Sequence, residues 1–109
     1  MSMAIDIELL AAPPPVLKAL AEPLRWRIVT ALAGEELCVC HLTEDLGVAQ
    51  PLISHHLRVL RDVGVVESER WRYWTYYRLR SGVLGDLADV FSGLASAGET
   101  SAGQRRPCC

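Results

Sequence analysis

A mainly α-helical domain carrying one two-stranded β-hairpin is the architecture this sequence predicts, and three patterns predict it. Apolar residues recur at helical steps through most of residues 16–63. The period then changes to a strand-like run, rich in aromatic and β-branched residues, between Val65 and Leu79. A last helical repeat follows in Val83, Leu84, Leu87, Val90, Phe91 and Leu94. The chain has 109 residues, half of them apolar, which suits one domain with one modest core.

Taken in order, the first dozen residues read as a short helix with Ile5, Leu9 and Leu10 on one side, stopped by Pro13-Pro14-Pro15. Proline lacks the N–H and disfavours a helical residue before it. The helical pattern resumes from Val16 to Leu20 and breaks at Glu22-Pro23, where Pro23 suits the first turn of the next helix. Leu24, Ile28 and Leu32 mark that helix, and Gly34 closes it. A short helix from Cys38 to Leu46 ends at Gly47. Another begins after Val48, buries Ile53, Leu57 and Leu60, shows Ser54, His55, Arg58 and Arg61 on its other face, and ends at Gly64. Two short helices joined around a glycine, the second basic outside, read as helix-turn-helix, and a hairpin directly after them reads as a wing. Its turn is expected near Glu69–Arg72. Residues 96–107 are small and polar, so residues 1–95 form the folded domain and 96–109 a flexible tail.

The net charge of −2 hides an asymmetry. Residues 50–80 carry six arginines against three acids, whereas residues 1–49 carry three basic and seven acidic groups. A basic centre in an acidic chain points to a local polyanion contact, with solvated arginines as the alternative. No apolar run reaches the length of a membrane span and no secretory leader is evident, so a cytoplasmic location with reduced thiols is expected. The four cysteines form two close pairs, Cys38/Cys40 and Cys108/Cys109, a usage that points to metal binding or redox chemistry.

Gln50, Ser54, His55 and Arg58 lie at or near the front of the second helix of the motif, where amide, hydroxyl and guanidinium groups read base edges in double-stranded DNA. Arg61, Arg70, Arg72, Arg78 and Arg80 are placed to clamp phosphates. His56 is expected to pack beside Leu57 rather than to touch DNA. Strand alternation should send some of Trp71, Tyr73, Trp74, Tyr76 and Tyr77 into the core.

Cys38 and Cys40 sit at the expected start of the first helix of the motif, where the dipole favours the thiolate that binds soft ions. Two sulfurs sharing one ion lie roughly 3–4 Å apart. Residues i and i+2 of a regular helix, however, point about 200° apart. Capture therefore requires the turn to deform, and deformation of the helix that supports the DNA-reading helix is a release mechanism. The alternative is a pair of small buried hydrophobes.

Together these segments resemble the ArsR/SmtB family of metal-sensing repressors over roughly residues 16–80. Ala21-Glu22-Pro23-Leu24-Arg25-Trp26-Arg27-Ile28 resembles the opening of the family's second helix. Glu36-Leu37-Cys38-Val39-Cys40-His41-Leu42 resembles the ELCVCDL motif of its arsenic-responsive members. Gln50-Pro51-Leu52-Ile53-Ser54-His55-His56-Leu57, with Leu60-Arg61, resembles the recognition helix, and Tyr76-Tyr77-Arg78-Leu79 the end of the wing. The resemblance implies a homodimer joined through its first and last helices, an inverted-repeat operator, release by As(III) or Sb(III), and no organic cofactor. Three departures stand out. Thr43 occupies a position where many arsenic-responsive relatives have a third cysteine. The last helix has Asp86 and Asp89 but no histidine for a zinc site, and Arg72 replaces a glycine common at the wing turn. Trivalent arsenic prefers three thiolates, so Cys108 or Cys109 becomes the candidate third ligand. Sensing of cadmium, lead or mercury, or of a methylated arsenical, and a thiol redox switch are the competing readings. An enzyme is disfavoured, because no Gly-rich or Arg-terminated anion loop surrounds the cysteines.

Overall fold

A computed structural model describes residues 14–108. Five helices and three strands follow in the order α1 (Pro15–Ala21), α2 (Pro23–Leu32), β1 (Leu37–Cys38), α3 (Val39–Leu46), α4 (Gln50–Asp62), β2 (Val66–Trp71), β3 (Trp74–Leu79) and α5 (Ser81–Ser101). The helix expected in the first dozen residues, and Cys109, lie outside the described residues.

Local chemistry explains where these helices begin and end. Glu22 caps α2 by accepting the Arg25 N–H at 2.8 Å, with Pro23 in the first turn. Helix α3 stops at Gly47, whose φ of 65° is left-handed and costs glycine little; its N–H reaches Thr43 O at 3.0 Å. Gly64 has φ 82° and a second constraint, since a Cβ there would stand 3.0 Å from Cγ2 of Val83 on α5.

The core gathers on the inner face of α4. Ile53 and Leu60 are fully buried and Leu57 almost so, packed with Ile28 of α2, Leu42 of α3, and Val65 and Val66 at the start of the wing. Each such side chain contributes about 2 kcal/mol of burial free energy. That contact set seats α4 on α2 and α3 and turns its outer face away from the core.

Three differences from the sequence expectation matter for function. The sheet has three antiparallel strands in the order β1-β3-β2, not two. The added strand is only Leu37–Cys38, too short to show a period, and exists because Leu37 pairs with Tyr77 and Cys38 with Tyr76. Helix α3 accordingly starts at Val39, with Cys38 as its N-cap residue. Secondly, the wing turn lies at Arg72-Tyr73, between Trp71 and Trp74, and Arg72 adopts φ 57° without being glycine. No turn-forming residue marks it in sequence. Thirdly, α5 runs to Ser101, past the boundary placed at residue 95, with Thr100 Oγ1 donating to Ser96 O at 3.1 Å. Small polar residues with helical neighbours continue the ladder although they bury little. Leu87 is its one buried residue, and Phe91 and Leu94 stand about half exposed.

Candidate nucleic-acid interface and metal centre

Helix α4 has two faces. Ile53, His56, Leu57 and Leu60 face inward, while Gln50, His55, Arg58 and Arg61 are exposed and Ser54 is partly so. Gln50 Nε2 donates to Ser54 Oγ at 2.9 Å, which holds the amide along the first turn. Its carbonyl and second N–H are the groups a base edge would meet. Steps of four, four and three residues align Gln50, Ser54, Arg58 and Arg61 as one stripe.

The wing adds two more cations. Arg70 and Arg72 are exposed at the hairpin tip; Arg70 Nε donates to Arg72 O at 3.4 Å, and the Arg72 guanidinium lies over the Trp71 ring, 4.8 Å from its centroid. Among the described residues, Arg58, Arg61, Arg70 and Arg72 have no carboxylate within 4.0 Å, whereas Arg78 and Arg80 do. Arg78 bonds Glu67 at 2.8 Å and Glu69 at 2.6 Å and lies 3.6 Å from Glu36; Arg80 lies 3.7 Å from Glu67. The Glu69 and Glu67 hydrogen bonds raise the Arg78 pKa further above its ordinary value. These pairs offset the charge of Arg78 and, more weakly, of Arg80, and Arg78 ties β2, β3 and the approach to β1 together. The unneutralised arginines are the ones with charge to offer a polyanion.

His56 is buried, as expected of it. Its Nδ1 lies 3.1 Å from Arg25 Nη1 and 3.8 Å from Glu22 Oε2. A guanidinium only donates, so Nδ1 accepts and the ring proton sits on Nε2. Burial lowers the His56 pKa, with Arg25 and His55 acting the same way and Glu22 opposing. Arg25 also donates from Nε to Ala19 O at 2.6 Å, so one side chain joins α1, α2 and α4. Sequence reading missed Arg25, whose partner lies 31 residues away.

The two core thiols diverge. Cys38 is buried and Cys40 exposed, and Cys108 is exposed near the end of the chain. Among the described residues no three His, Cys, Asp or Glu side chains stand together as a ready metal site. Cys38 does have a close neighbour: His41 Nδ1 lies 3.2 Å from Cys38 Sγ and accepts the Cys38 backbone N–H at 3.2 Å. His41 thus serves α3 as the returning half of a capping box. Its position three residues after the cap was the available signal. As a donor set, one buried sulfur beside an imidazole nitrogen, with a second thiol two residues along the chain, suits a thiophilic ion once the turn rearranges.

The sequence and fold are similar to those of known proteins. The family model for bacterial regulatory proteins of the arsR family matches residues 22–68, from the cap of α2 into β2. The chain is 41% identical over 88 residues to the arsenic resistance transcriptional regulator ArsR1 of Pseudomonas putida, covering 80% of this chain and 69% of that one. It is also 41% identical over 92 residues to the HTH-type transcriptional repressor SmtB of Mycobacterium tuberculosis, covering 84% and 67%. Among solved structures, the homodimeric winged helix-turn-helix DNA-binding domain Mb0332 of Mycobacterium bovis, a possible ArsR-family regulator, is similar with a TM-score of 0.64 at 25% identity. That match covers 98% of this chain and 100% of the other. This chain belongs to the ArsR/SmtB family of winged helix-turn-helix transcriptional repressors.

Proposed function

We propose that this protein represses transcription by binding an inverted-repeat operator as a homodimer, and that it leaves the operator when As(III) or Sb(III) binds its cysteine thiolates. One observation carries the reading: Cys38 is at once the last residue of β1, paired with Tyr76 of the wing, and the N-cap residue of α3, which packs on α4. Whatever draws Cys38 toward Cys40 acts on both DNA-contacting elements together. Each thiol displaces one oxygen ligand of arsenous acid, S–H and As–OH becoming As–S and water, with arsenic unchanged in oxidation state. Cys38 and Cys40 supply two sulfurs, and Cys108 or Cys109 of the tail supplies the third.

Gln50, Ser54, His55 and Arg58 would read bases, and Arg61, Arg70 and Arg72 would hold phosphates. The exposed apolar residues Phe91 and Leu94 on α5 support self-association through the last helix. The test is operator binding with and without As(III). The native protein should be released, and Cys38→Ser and Cys40→Ser should stay bound at the same metalloid concentration. Intact release in either variant would overturn the mechanism. A chain ending before Cys108 that keeps full metalloid affinity would remove the tail from the site.

A further inference from the structure

We propose that Arg106, on the tail of a second copy of this chain, docks into an open cavity of the wing sheet lined by Glu36, Glu69, Trp71 and Tyr76. The inference rests on the homodimer and tail thiols of the proposed function, and names the contact that brings those thiols to the sensing pair. The cavity measures about 360 Å³. It lies on the outer face of the sheet: Glu69 pairs with Tyr76, and strand alternation sends Val66 and Leu79 to the opposite, core face.

Its walls suit a guanidinium, which stacks on aromatic rings and pairs with carboxylates. The Trp71 ring already carries one, that of Arg72, 4.8 Å from its centroid. Glu36, Glu67 and Glu69 pair with only two cations among the described residues, Arg78 and Arg80, which leaves one carboxylate in surplus. Glu36 is the least engaged, 3.6 Å from Arg78 with its side chain 54% exposed. The complementary charge is on the tail. Arg105 and Arg106 are exposed, and neither has a carboxylate within 4.0 Å among the described residues.

Reach points to a second copy. Helix α5 packs on its own protomer through Val83, Leu84 and Leu87, near its start, and Phe91 stands half exposed. A twofold axis crossing α5 at Phe91 sets two copies antiparallel. The partner subunit's Ser101 then lies opposite Ser81, each being ten residues from Phe91. From Ser81 back along β3 to Tyr76 is about 16 Å, and an extended chain from Ser101 to Arg106 reaches about 17 Å. Cys108 follows Arg106 by two residues, about 7 Å of extended chain. Tyr76 is the cross-strand partner of Cys38, with Cα atoms about 4.5–5.5 Å apart. An arginine seated against Tyr76 therefore sets the tail thiol within reach of Cys38 and Cys40.

The experiment compares nitrogen-15 spectra of the intact, reduced native protein with those of Arg105→Gln combined with Arg106→Gln, in the absence of metalloid. Docking shifts the Trp71 indole N–H and the Glu36 and Tyr76 amides in the variant; native positions at all of them overturn the proposal. Labelled native chain mixed with a large excess of unlabelled variant then identifies the donor. In these mixed dimers the same signals should move to their variant positions. Signals that stay native mean that the tail comes from the same chain, which overturns the second-copy assignment. As(III) titration separates the contact from the reading beneath it. The double arginine variant should bind As(III) about threefold more weakly or worse, because the tail thiol loses its high local concentration. Absent docking shifts, with weaker As(III) binding in Cys108→Ser combined with Cys109→Ser, overturn the dock and leave the tail thiols in the sensor. Docking shifts with native As(III) affinity in both double variants uphold the dock and remove the tail from the metalloid site.

Discussion

Arg25 in α2 donates a hydrogen bond from Nη1 to Nδ1 of His56 in α4, at 3.1 Å, and so fastens the buried face of α4 to its support. The bond exists only while Nδ1 is unprotonated. Burial keeps His56 neutral by lowering its pKa from 6.5, so the unfolded chain takes up that proton more readily than the folded one.

Stability should therefore decline as pH falls below about 6.5, down to the lowered folded-state pKa of His56. Glu22 adds a second acid loss. Its carboxyl, held below 4.5 chiefly by the Arg25 backbone N–H, stabilises the fold above that value and loses the contribution as pH falls through its folded-state pKa. Urea unfolding midpoints at pH 7.5, 6 and 5 check the histidine window. His56→Gln, which keeps an acceptor for Arg25 without a titrating ring, should flatten the fall between pH 7.5 and 5. An unchanged pH profile in that variant counts against the assignment.

Arg58 and Arg78 should separate cleanly. Arg58 is exposed on the α4 stripe with no carboxylate within 4.0 Å among the described residues, so Arg58→Ala should cost about 1–3 kcal/mol of operator preference. Arg78 is already paired with Glu67 and Glu69, so Arg78→Ala should lower the melting temperature while leaving the salt slope of DNA binding unchanged. A slope reduced by about one charge in Arg78→Ala would return that residue to the phosphate contacts.

At the wing tip, stability and affinity should move in opposite directions. Arg72 holds φ 57°, a conformation that costs a side chain about 1–2 kcal/mol and glycine almost nothing. Glycine gives part of this back as unfolded-chain entropy, so Arg72→Gly should stabilise the protein by about 0.5 kcal/mol. Loss of the guanidinium should weaken binding to operator and non-operator DNA alike, measured as parallel falls in affinity at fixed salt.

Phe91→Glu combined with Leu94→Glu should leave the protomer fold intact, since both side chains stand about half exposed. If α5 is the dimer face, sedimentation should show a monomer and operator affinity should fall by more than tenfold, because each protomer would then bind its half-site alone. A dimer that survives both charges would move the interface elsewhere.

Much of the fold was legible because its signals are local. The helical spacing of Ile53, Leu57 and Leu60, the proline at the start of α2, and the glycines after α3 and α4 act within a few residues, where periodicity and backbone sterics decide the outcome. The exposed stripe from Gln50 to Arg61 followed from that same period. The cysteine spacing was less informative: Cys38 is extended and ends β1, so its burial comes from the strand, while Cys40 is exposed on the helix that follows.

Tertiary structure decided what those residues are joined to. β1 is a strand only because β3 comes back to pair with it, and that pairing makes Cys38 a joint between wing and helix. Which arginines meet carboxylates depended on the sheet, since Arg78 meets Glu36 and Glu67 across the fold. Coulombic pairing and hydrogen bonding act through space and are blind to position along the chain. Sequence alone therefore determined the helices, the wing and the residue types available for sensing, while folding determined which thiol has an imidazole beside it.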